Sequence, residues 1–400
     1  HSMSDKKRRL SRPQLWFLLA LLVLIATGCY GTRMGESWPA LTTVEVYDEA
    51  AIAVSYNNKV SLLQPRNGAL VRLLNADGEI RFDDADNPRN WEVDGGQYEG
   101  AQFFSNPIVL DDGDTFLLPS ITERLLEVDT FTAEPNNATG IPVLGKVISN
   151  VILDGETLYV PIKSGIIQAL DRSSGDTKWE FSVNEGIWSD MILEDGVLYA
   201  GSMDHFLYAL DAETGEMLWN APADLEGAIT APPLLHNGML YAGSFSHKMY
   251  QITLDGEIVA SYKGNNWIWS TPVIDSGVLY YTDLSGYVYA LDADTLEELW
   301  AIKAAERGIR AAPLLTEDYV VVGSRDSQMH WLDRETGAVL FERQIEGGGE
   351  ILSDILLLEA DETLNIPEPL VIIGTSATSH LVVAFPLDFD SGYQGWVYSR

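Results

Sequence analysis

The stretch LYALDAETGEMLW, Leu207–Trp219, places an Asp, a Gly and a Trp at fixed distances behind an apolar segment. Asp211 can accept hydrogen bonds from backbone N–H groups two or three residues on, and Gly215 can adopt positive φ, so this pair predicts a turn between two outer strands. Trp219, four residues past the glycine, can cover a seam with a neighbouring unit because an indole buries a large apolar area. The same structural positions recur at Asp171, Asp292 and Asp333, and at Trp179, Trp300 and Trp396.

A repeat emerges when the chain is aligned on the apolar anchor that precedes Gly-Ser in YAGS. Eight anchors can be placed, at Ile52, Leu117, Tyr159, Tyr199, Tyr241, Tyr280, Val321 and Ile372. A period of about 40 residues is typical of propeller blades with four strands each. The sequence therefore predicts an all-β fold, an eight-bladed β-propeller of four-stranded antiparallel blades, as a single domain over residues 41–400.

The fourth unit shows how a blade is expected to divide. Ser189–Leu193 forms the inner strand, Glu194–Gly196 a hairpin turn of the Asp-Gly type, and the fourth strand ends on Trp219. The first unit, Leu41–Asn75, can supply four strands of its own, and the last unit ends with Gly395–Arg400. We therefore expect the ring to close by packing of the first blade against the eighth, with residues 30–40 available as a strap.

The amino terminus has the order of a secretory signal. Several basic residues precede the apolar run Leu15–Ala26, which is too short to span a bilayer comfortably, since a spanning helix needs roughly 20 apolar residues.

Ala26–Cys29 follows and resembles the bacterial lipobox, which implies lipidation of Cys29. We predict an expression remnant and lipoprotein signal peptide over residues 1–28 and a linker over 29–40. The alternative is an uncleaved anchor with an incidental cysteine. Either way, the rest of the chain is expected outside the cytoplasm.

Composition excludes several classes of protein. With 59 acidic and 25 basic residues the formal charge is −34, and such a field repels nucleic-acid backbones. A hydrophobic content of 46% excludes a disordered acidic tail. The single cysteine excludes a disulfide framework, so burial must hold the fold together. A ring that closes on itself is expected to be monomeric.

The repeat A-L-D-x-x-T-G-x-x-x-W resembles the pyrroloquinoline-quinone (PQQ)-type repeat, and together with the lipobox and length it resembles the BamB family of envelope lipoproteins. The resemblance covers roughly residues 41–400. It implies a non-catalytic, lipid-anchored scaffold that binds protein partners, among them the β-barrel assembly machine of the outer membrane. The periplasmic face of that membrane is the implied location. The outer face of the cytoplasmic membrane stays open for a bacterium with one membrane.

An enzyme is the competing interpretation. Quinoprotein dehydrogenases with similar repeats hold the quinone over the channel mouth, many against a vicinal disulfide, which a chain with only Cys29 cannot form. No H-E-x-x-H or G-x-S-x-G pattern is present, and His205 and His247 occupy equivalent turns that are expected to be solvated. We therefore predict no catalytic residue, no metal and no cofactor. A small-molecule or PQQ site at the channel mouth, suggested by Trp188 and Trp269, stays as the alternative.

Candidate partner-binding residues lie where the chain enters the innermost strand of each unit. The position eleven residues before the anchor holds Trp188, Trp269 and Arg310, with Trp267 close by. Trp and Arg are enriched in binding hot spots, so these residues predict a binding surface around the channel mouth.

A loop and two insertions add to that surface. In the BamB family the partner-binding surface includes a loop similar to L-R-G-x-S-x-P, and Arg307–Pro313 keeps the arginine, glycine and proline of that pattern. Arg307 is therefore a further candidate. The insertions Asp77–Gly100, with Trp91 and Tyr98, and Asp361–Pro369 are long enough for functional loops.

Overall fold

A computed structural model describes residues 39–47, 49–75, 77–110, 113–136, 140–362, 366–388 and 395–400, all within one compact unit. The predicted signal peptide over residues 1–28, Cys29 and residues 30–38 lie outside the described residues. Among the described residues no helix is both long enough and apolar enough to cross a membrane.

The chain forms eight four-stranded antiparallel sheets, each from four consecutive strands, which confirms the predicted eight-bladed propeller. The strands of blades 1 to 4 are β1 Ala40–Val46, β2 Glu49–Tyr56, β3 Lys59–Leu63, β4 Glu92–Asp94; β5 Ile108–Val109, β6 Thr115–Pro119, β7 Arg124–Asp129, β8 Ile141–Pro142; β9 Ile152–Asp154, β10 Thr157–Ile162, β11 Ile166–Asp171, β12 Thr177–Ser182; and β13 Ile192–Glu194, β14 Val197–Gly201, β15 Phe206–Asp211, β16 Ala223–Asp224.

Blades 5 to 8 repeat the pattern. Their strands are β17 Leu234–His236, β18 Met239–Gly243, β19 Lys248–Thr253, β20 Ile258–Lys263; β21 Val273–Asp275, β22 Val278–Thr282, β23 Tyr287–Asp292, β24 Glu298–Lys303; β25 Leu314–Leu315, β26 Tyr319–Gly323, β27 Gln328–Asp333, β28 Val339–Gln344; and β29 Leu356–Leu358, β30 Leu370–Gly374, β31 Val382–Pro386, β32 Trp396–Tyr398. Two 3₁₀ turns, Gly95–Gln97 and Thr378–His380, complete the described elements.

The repeated aspartates close the turns between the third and fourth strands. Asp211 Oδ1 accepts hydrogen bonds from the backbone N–H groups of Glu213 (3.0 Å) and Thr214 (2.8 Å) and from the Thr214 hydroxyl (3.0 Å). Asp171, Asp292 and Asp333 accept equivalent bonds. These bonds hold the pKa of each carboxyl below its usual range because they favour the ionised form.

The repeated tryptophans join each blade to the next one. The indole N–H donates to a carbonyl in the turn of the following blade, from Trp179 to Ala212 (3.0 Å), Trp219 to Leu254 (2.7 Å), Trp300 to Arg334 (3.3 Å) and Trp396 to Pro65 (2.9 Å). The glycine of that following turn leaves room for the indole ring to pack against the backbone. Gly215 has φ of +74°, and a Cβ placed on it would lie 2.5 Å from Trp179 Cδ2.

Eight apolar clusters, each shared by two neighbouring blades, run around the whole ring. Blades 8 and 1 share one of them, in which Ile52 and Val54 of β2 pack with Ile372 of β30 and with Trp396. The ring thus closes by packing of blade 1 on blade 8, without exchange of a strand, as predicted.

Three strand assignments from sequence were wrong. The inner strand of blade 4 is Ile192–Glu194, which begins three residues later than the predicted Ser189–Leu193. The fourth strand of blade 1 is Glu92–Asp94 and does not lie within Leu41–Asn75, because residues 64–91 fold as a separate ladder of bridges before the chain rejoins the sheet. In blade 4 the fourth strand is Ala223–Asp224, which follows Trp219 rather than ending on it.

The insertion also differs from its prediction. Trp91 is fully buried and donates from Nε1 to the Thr130 carbonyl of blade 2 (2.6 Å), so it occupies the seam position of blade 1 instead of a binding loop. The exposed apolar side chains of this insertion are Ile80 and Phe82.

Candidate functional site

The propeller has two rims of different construction. Each first strand runs antiparallel to the second and therefore begins on the side of the turn between the second and third strands. In blade 1, for example, Ala40 at the start of β1 pairs with Ser55 near the end of β2. We call this side, with the connections that lead into the first strands, the mouth rim. The opposite side carries the turns between strands one and two and between strands three and four.

The channel at the mouth rim encloses a cavity of about 170 Å³. Trp188, Trp269 and Arg310 all line it, as their common position in the repeat predicts, together with Ile148 and Thr230. The structure thus gathers side chains from five blades around one opening.

An aromatic–arginine cluster, formed by Phe245, Trp267, Trp269 and Arg310, runs from this opening to the outer surface. Phe245 and Trp267 stack face to face, with ring centroids 4.6 Å apart and planes 3° apart, while Trp269 is tilted against Phe245 at 5.3 Å. The guanidinium carbon of Arg310 lies 4.2 Å from the Trp269 ring centroid, which is cation–π geometry. Trp267 is 39% exposed, so the outer end of the cluster is available to a partner.

Trp188 lies apart from this cluster. It borders the same cavity, and Lys163 Nζ lies over its ring, 5.4 Å from the centroid. The cavity therefore separates two aromatic–cation pairs, one contributed by blades 3 and 4 and the other by blades 6 and 7.

Arg307 lies on the mouth rim in an ion-pair network between blades 7 and 8. Its Nη2 is 2.6 Å from Glu350 Oε1, and Arg325 binds the same carboxylate through Nε and Nη2 at 3.2 Å each. Arg307 is half exposed and also donates to the Arg325 carbonyl at 3.1 Å. Glu350 therefore holds two arginines side by side at the surface.

Three charged side chains, Asp190, Arg310 and Asp354, are among the described residues that line the channel cavity. Burial, with the nearby Arg325 guanidinium, lowers the pKa of Arg310 below its ordinary value. Asp354 faces the channel cavity but is surrounded by protein, so desolvation raises the pKa of its carboxyl, while the Ala312 N–H and Arg310 act in the opposite direction. Desolvation also raises the pKa of Asp190.

A belt of hydrogen bonds links the blades at this level. The backbone N–H of Asn106 donates to Asn150 Oδ1 (2.9 Å), and Asn150 donates from its backbone N–H and from Nδ2 to Asp190, at 2.7 Å each. Ala312 makes the equivalent bond to Asp354 (2.8 Å). The carboxylates thus take part in bonds between neighbouring blades.

The rim opposite the mouth is strongly acidic, and we call it the acidic rim. Among the described residues of blades 3 to 7 this rim holds three bases, Arg172, Arg334 and Lys178, of which Lys178 lies 3.9 Å from Asp171, against many acids: Asp154, Glu156, Asp171, Asp176, Glu194, Asp195, Asp211, Glu213, Glu216, Asp255, Glu257, Asp275, Asp292, Asp294, Glu297, Glu317, Asp318, Asp333 and Glu335. On the mouth rim of the same blades the bases Lys146, Lys163, Lys263, Lys303, Arg307 and Arg325 are interspersed with acids. The net charge is therefore divided unevenly between the two sides.

Sequence reasoning missed Phe245, Arg325 and Glu350. Phe245 and Arg325 share one repeat position, in the turn between the second and third strands, that holds a different residue in every blade, and Glu350 lies in a connection of variable sequence, so no periodic signal marked them. The aromatic at residue 245, in the turn after YAGS, was the only local signal for the stacked pair with Trp267.

The histidine turns are placed as follows. His205 is exposed in its turn, 4.0 Å from Asp224, and no group of three or more His, Cys, Asp or Glu is placed to bind a metal in the part of the chain that the structure describes.

Comparison with known proteins gives consistent matches. The family model described as outer membrane protein assembly factor BamB matches residues 163–270 and 255–369. The BamB of Moranella endobia is 23% identical over 303 residues, covering 71% of this chain and 78% of that protein. The BamB of Yersinia pestis is 22% identical over 246 residues, covering 54% and 60%.

Solved structures share the fold. The crystal structure of BamB from Moraxella catarrhalis superposes with a TM-score of 0.63 at 17% identity, covering 88% of this chain and 96% of that one. The computationally designed Ika8 protein gives the same TM-score at 13% identity. At these identities the two matches show the fold alone, and a fold does not specify a function, so function must be argued from the rims.

Proposed function

The chain belongs to the family described as outer membrane protein assembly factor BamB, and on that premise we propose that it is a lipid-anchored scaffold that binds a protein partner of the β-barrel assembly machine. Lipidation of Cys29 would hold it at the membrane, on the periplasmic face of the outer membrane in a bacterium with two membranes.

The observation that carries this proposal is the aromatic–arginine cluster on the mouth rim. Aromatic side chains that only pack between blades are buried, as Trp219 and Trp396 are. Trp267, in contrast, remains 39% exposed although it stacks on Phe245. Rigid aromatic rings lose little conformational entropy on binding, and Trp and Arg are the residue types that dominate hot spots.

Neighbouring charges indicate the chemistry of the partner surface. Arg307 and Arg325 lie on the mouth rim beside Glu350, with Lys303 at the end of β24. We infer that the partner offers an apolar patch for the rings, bordered by carboxylates. Such carboxylates would compete with Glu350 for Arg307.

We also propose that the scaffold is non-catalytic. The side chains at the channel mouth are engaged in contacts between blades: Asp190 accepts from Asn150, Asp354 accepts from Ala312, and Arg310 lies on Trp269. A cavity of about 170 Å³ is also small beside the roughly 300–1,000 Å³ of typical small-molecule pockets.

A pull-down from detergent-solubilised envelopes tests the binding role. The chain is expected to recover a component of the β-barrel assembly machine, and the Trp267→Ala and Arg307→Glu variants are expected to recover several-fold less of it. Glu213→Lys, a charge change on the acidic rim, serves as the matched control and should recover as much as the parent chain.

Thermal melts of all three variants serve as the folding control. Each variant is expected to melt as a folded protein, because all three substituted side chains are exposed. If the parent chain recovers no assembly component, the proposed binding role is wrong. If the mouth-rim variants recover as much as the parent chain, the chain binds its partner elsewhere than at the aromatic–arginine cluster.

A further inference from the structure

The described chain begins at the mouth rim, inside the channel opening. Pro39 is buried, and a Cβ placed on Gly374 of β30 would lie 2.3 Å from Pro39 Cγ, so the two residues are in close contact. Residues 39–41 line the same cavity as Trp269 and Arg310. The chain therefore joins the ring next to the channel axis and on the side of the aromatic–arginine cluster.

The distance from this point to Cys29 is short. Pro39 lies ten positions after Cys29, and a fully extended chain spans at most about 3.3–3.6 Å per residue, or roughly 35 Å in all. A lipid on Cys29 would keep the mouth rim within that distance of the membrane. The acidic rim lies farther away by the length of a blade strand, since six residues such as those of β20 extend about 20 Å.

The charge distribution favours the same orientation. A membrane surface that carries anionic headgroups repels the acidic rim, with its dense array of carboxylates, more strongly than the mouth rim, where Lys263, Lys303 and Arg307 are interspersed with acids. The short segment between Cys29 and Pro39, which we call the tether, and the repulsion between the acidic rim and anionic lipid thus both favour a mouth rim that faces the membrane.

We propose that the propeller faces the lipid surface with its mouth rim and turns its acidic rim away from it. This inference rests on the lipid anchor of the proposed function. It has a consequence for that function: a partner bound at the aromatic–arginine cluster is held between the propeller and the membrane, within about one small domain's width of the lipid.

Energy transfer to labelled lipid measures the orientation directly. The full lipidated chain is placed in vesicles that contain anionic lipid and a headgroup-linked acceptor dye, with a donor dye attached through an encoded azide residue. The donor replaces either Lys263, at the mouth-rim end of β20, or Asp255, in the turn at the other end of the same blade; both side chains are exposed.

The mouth-rim donor is expected to show at least about twofold greater transfer, since the two positions differ by about 20 Å along the blade. A flexible insertion of about 30 Gly and Ser residues after Gly35 should reduce the difference, because it extends the reach of the tether by up to about 100 Å, while the charge of the acidic rim still acts.

The outcomes separate the two proposals. A lipid-bound chain with equal transfer from both positions, or with greater transfer from residue 255, overturns the orientation and leaves the anchor intact. A difference that the long insertion leaves unchanged contradicts the role of the tether. A parent chain that stays out of the vesicle fraction, like the Cys29→Ser variant, overturns the anchor itself and this inference with it.

Discussion

Trp396, in the last strand, donates a hydrogen bond from Nε1 to the carbonyl of Pro65, a residue of the first blade, at 2.9 Å. The ring of Trp396 is also part of the apolar cluster that blades 8 and 1 share. This single side chain therefore joins the two ends of the propeller by the same contact that Trp179 and Trp219 make between consecutive blades.

Replacement of the closing tryptophan should weaken the whole ring. Trp396→Ala is expected to lower the free energy of unfolding by about 3–5 kcal/mol, because it leaves a cavity in the seam. Trp396→Phe keeps most of the packing and should lose only about 0.5–1.5 kcal/mol with the hydrogen bond to Pro65. Urea unfolding followed by circular dichroism measures both.

The control for that series is an exposed tryptophan of the same fold. Trp267→Ala should lower the free energy of unfolding by only about 0.5–1.5 kcal/mol, because it loses the stacking on Phe245 but opens no cavity in a seam. Equal losses in the Trp396→Ala and Trp267→Ala variants would mean that the seam does not carry the closure.

Two glycine substitutions distinguish the cost of a left-handed backbone from the cost of displacing an indole ring. Gly196 and Gly215 both have positive φ, +75° and +74°, but a Cβ on Gly196 would meet nothing within 4 Å, whereas one on Gly215 would collide with the Trp179 ring. Gly196→Ala is expected to cost about 1–2 kcal/mol for the left-handed backbone. Gly215→Ala should cost about 1–3 kcal/mol more because the indole must move. Thermal unfolding of the two variants tests whether Gly215 also makes room for the Trp179 ring. Equal losses of stability in the two variants would show that it does not.

Acid should destabilise blade 7 through His330. This imidazole is buried, with Nδ1 3.2 Å from Glu342 and Nε2 without a hydrogen-bond partner in the described structure, and burial lowers its pKa although the Glu342 and Asp326 carboxylates act in the opposite direction. The unfolded imidazole titrates near about 6.5 and binds a proton that the folded state disfavours. The free energy of unfolding must therefore fall as the pH drops below that value, by at most about 1.4 kcal/mol per pH unit.

The His330→Gln variant isolates this contribution from those of the carboxylates. The free energy of unfolding of the parent chain minus that of the variant should be smaller at pH 5.5 than at pH 7.5. A difference that does not change with pH would show that His330 does not titrate differently in the folded and unfolded chains.

Glu350 should restrain binding of an acidic partner. Glu350→Gln keeps the shape of the side chain but removes the charge that pairs with Arg307 and Arg325. We expect the association rate with the partner recovered in the pull-down to rise about two- to threefold at low salt and to converge with that of the parent chain at high salt. Surface plasmon resonance measures both rates, with Glu213→Gln on the acidic rim as the control for the same change in net charge; an equal rise in the control would indicate a general charge effect.

Much of the blade could be predicted because its chemistry is local. The turn that Asp195 and Gly196 form and the hydrogen bonds to Asp211 depend on residues at most three positions apart, so they recur wherever the motif recurs. The first blade shows the limit of this reasoning. Its fourth strand, Glu92–Asp94, begins 29 residues after β3 ends at Leu63, and no local pattern distinguished that strand from a loop.

The sequence by itself determined the number of blades, the order of their strands and the residues of the turns. It could do so because the period of about 40 residues and the Asp-Gly-Trp spacing are visible in the linear sequence. Tertiary structure decided which aromatic side chain fills a seam and which one faces a partner. Trp91 and Trp267 both lie in connections between strands, yet Trp91 reaches the Thr130 carbonyl of blade 2 while Trp267 stacks on Phe245 at the surface. The physical reason is that contacts between blades, and between loops of one rim, join residues far apart in sequence, and their geometry exists only once the ring has closed.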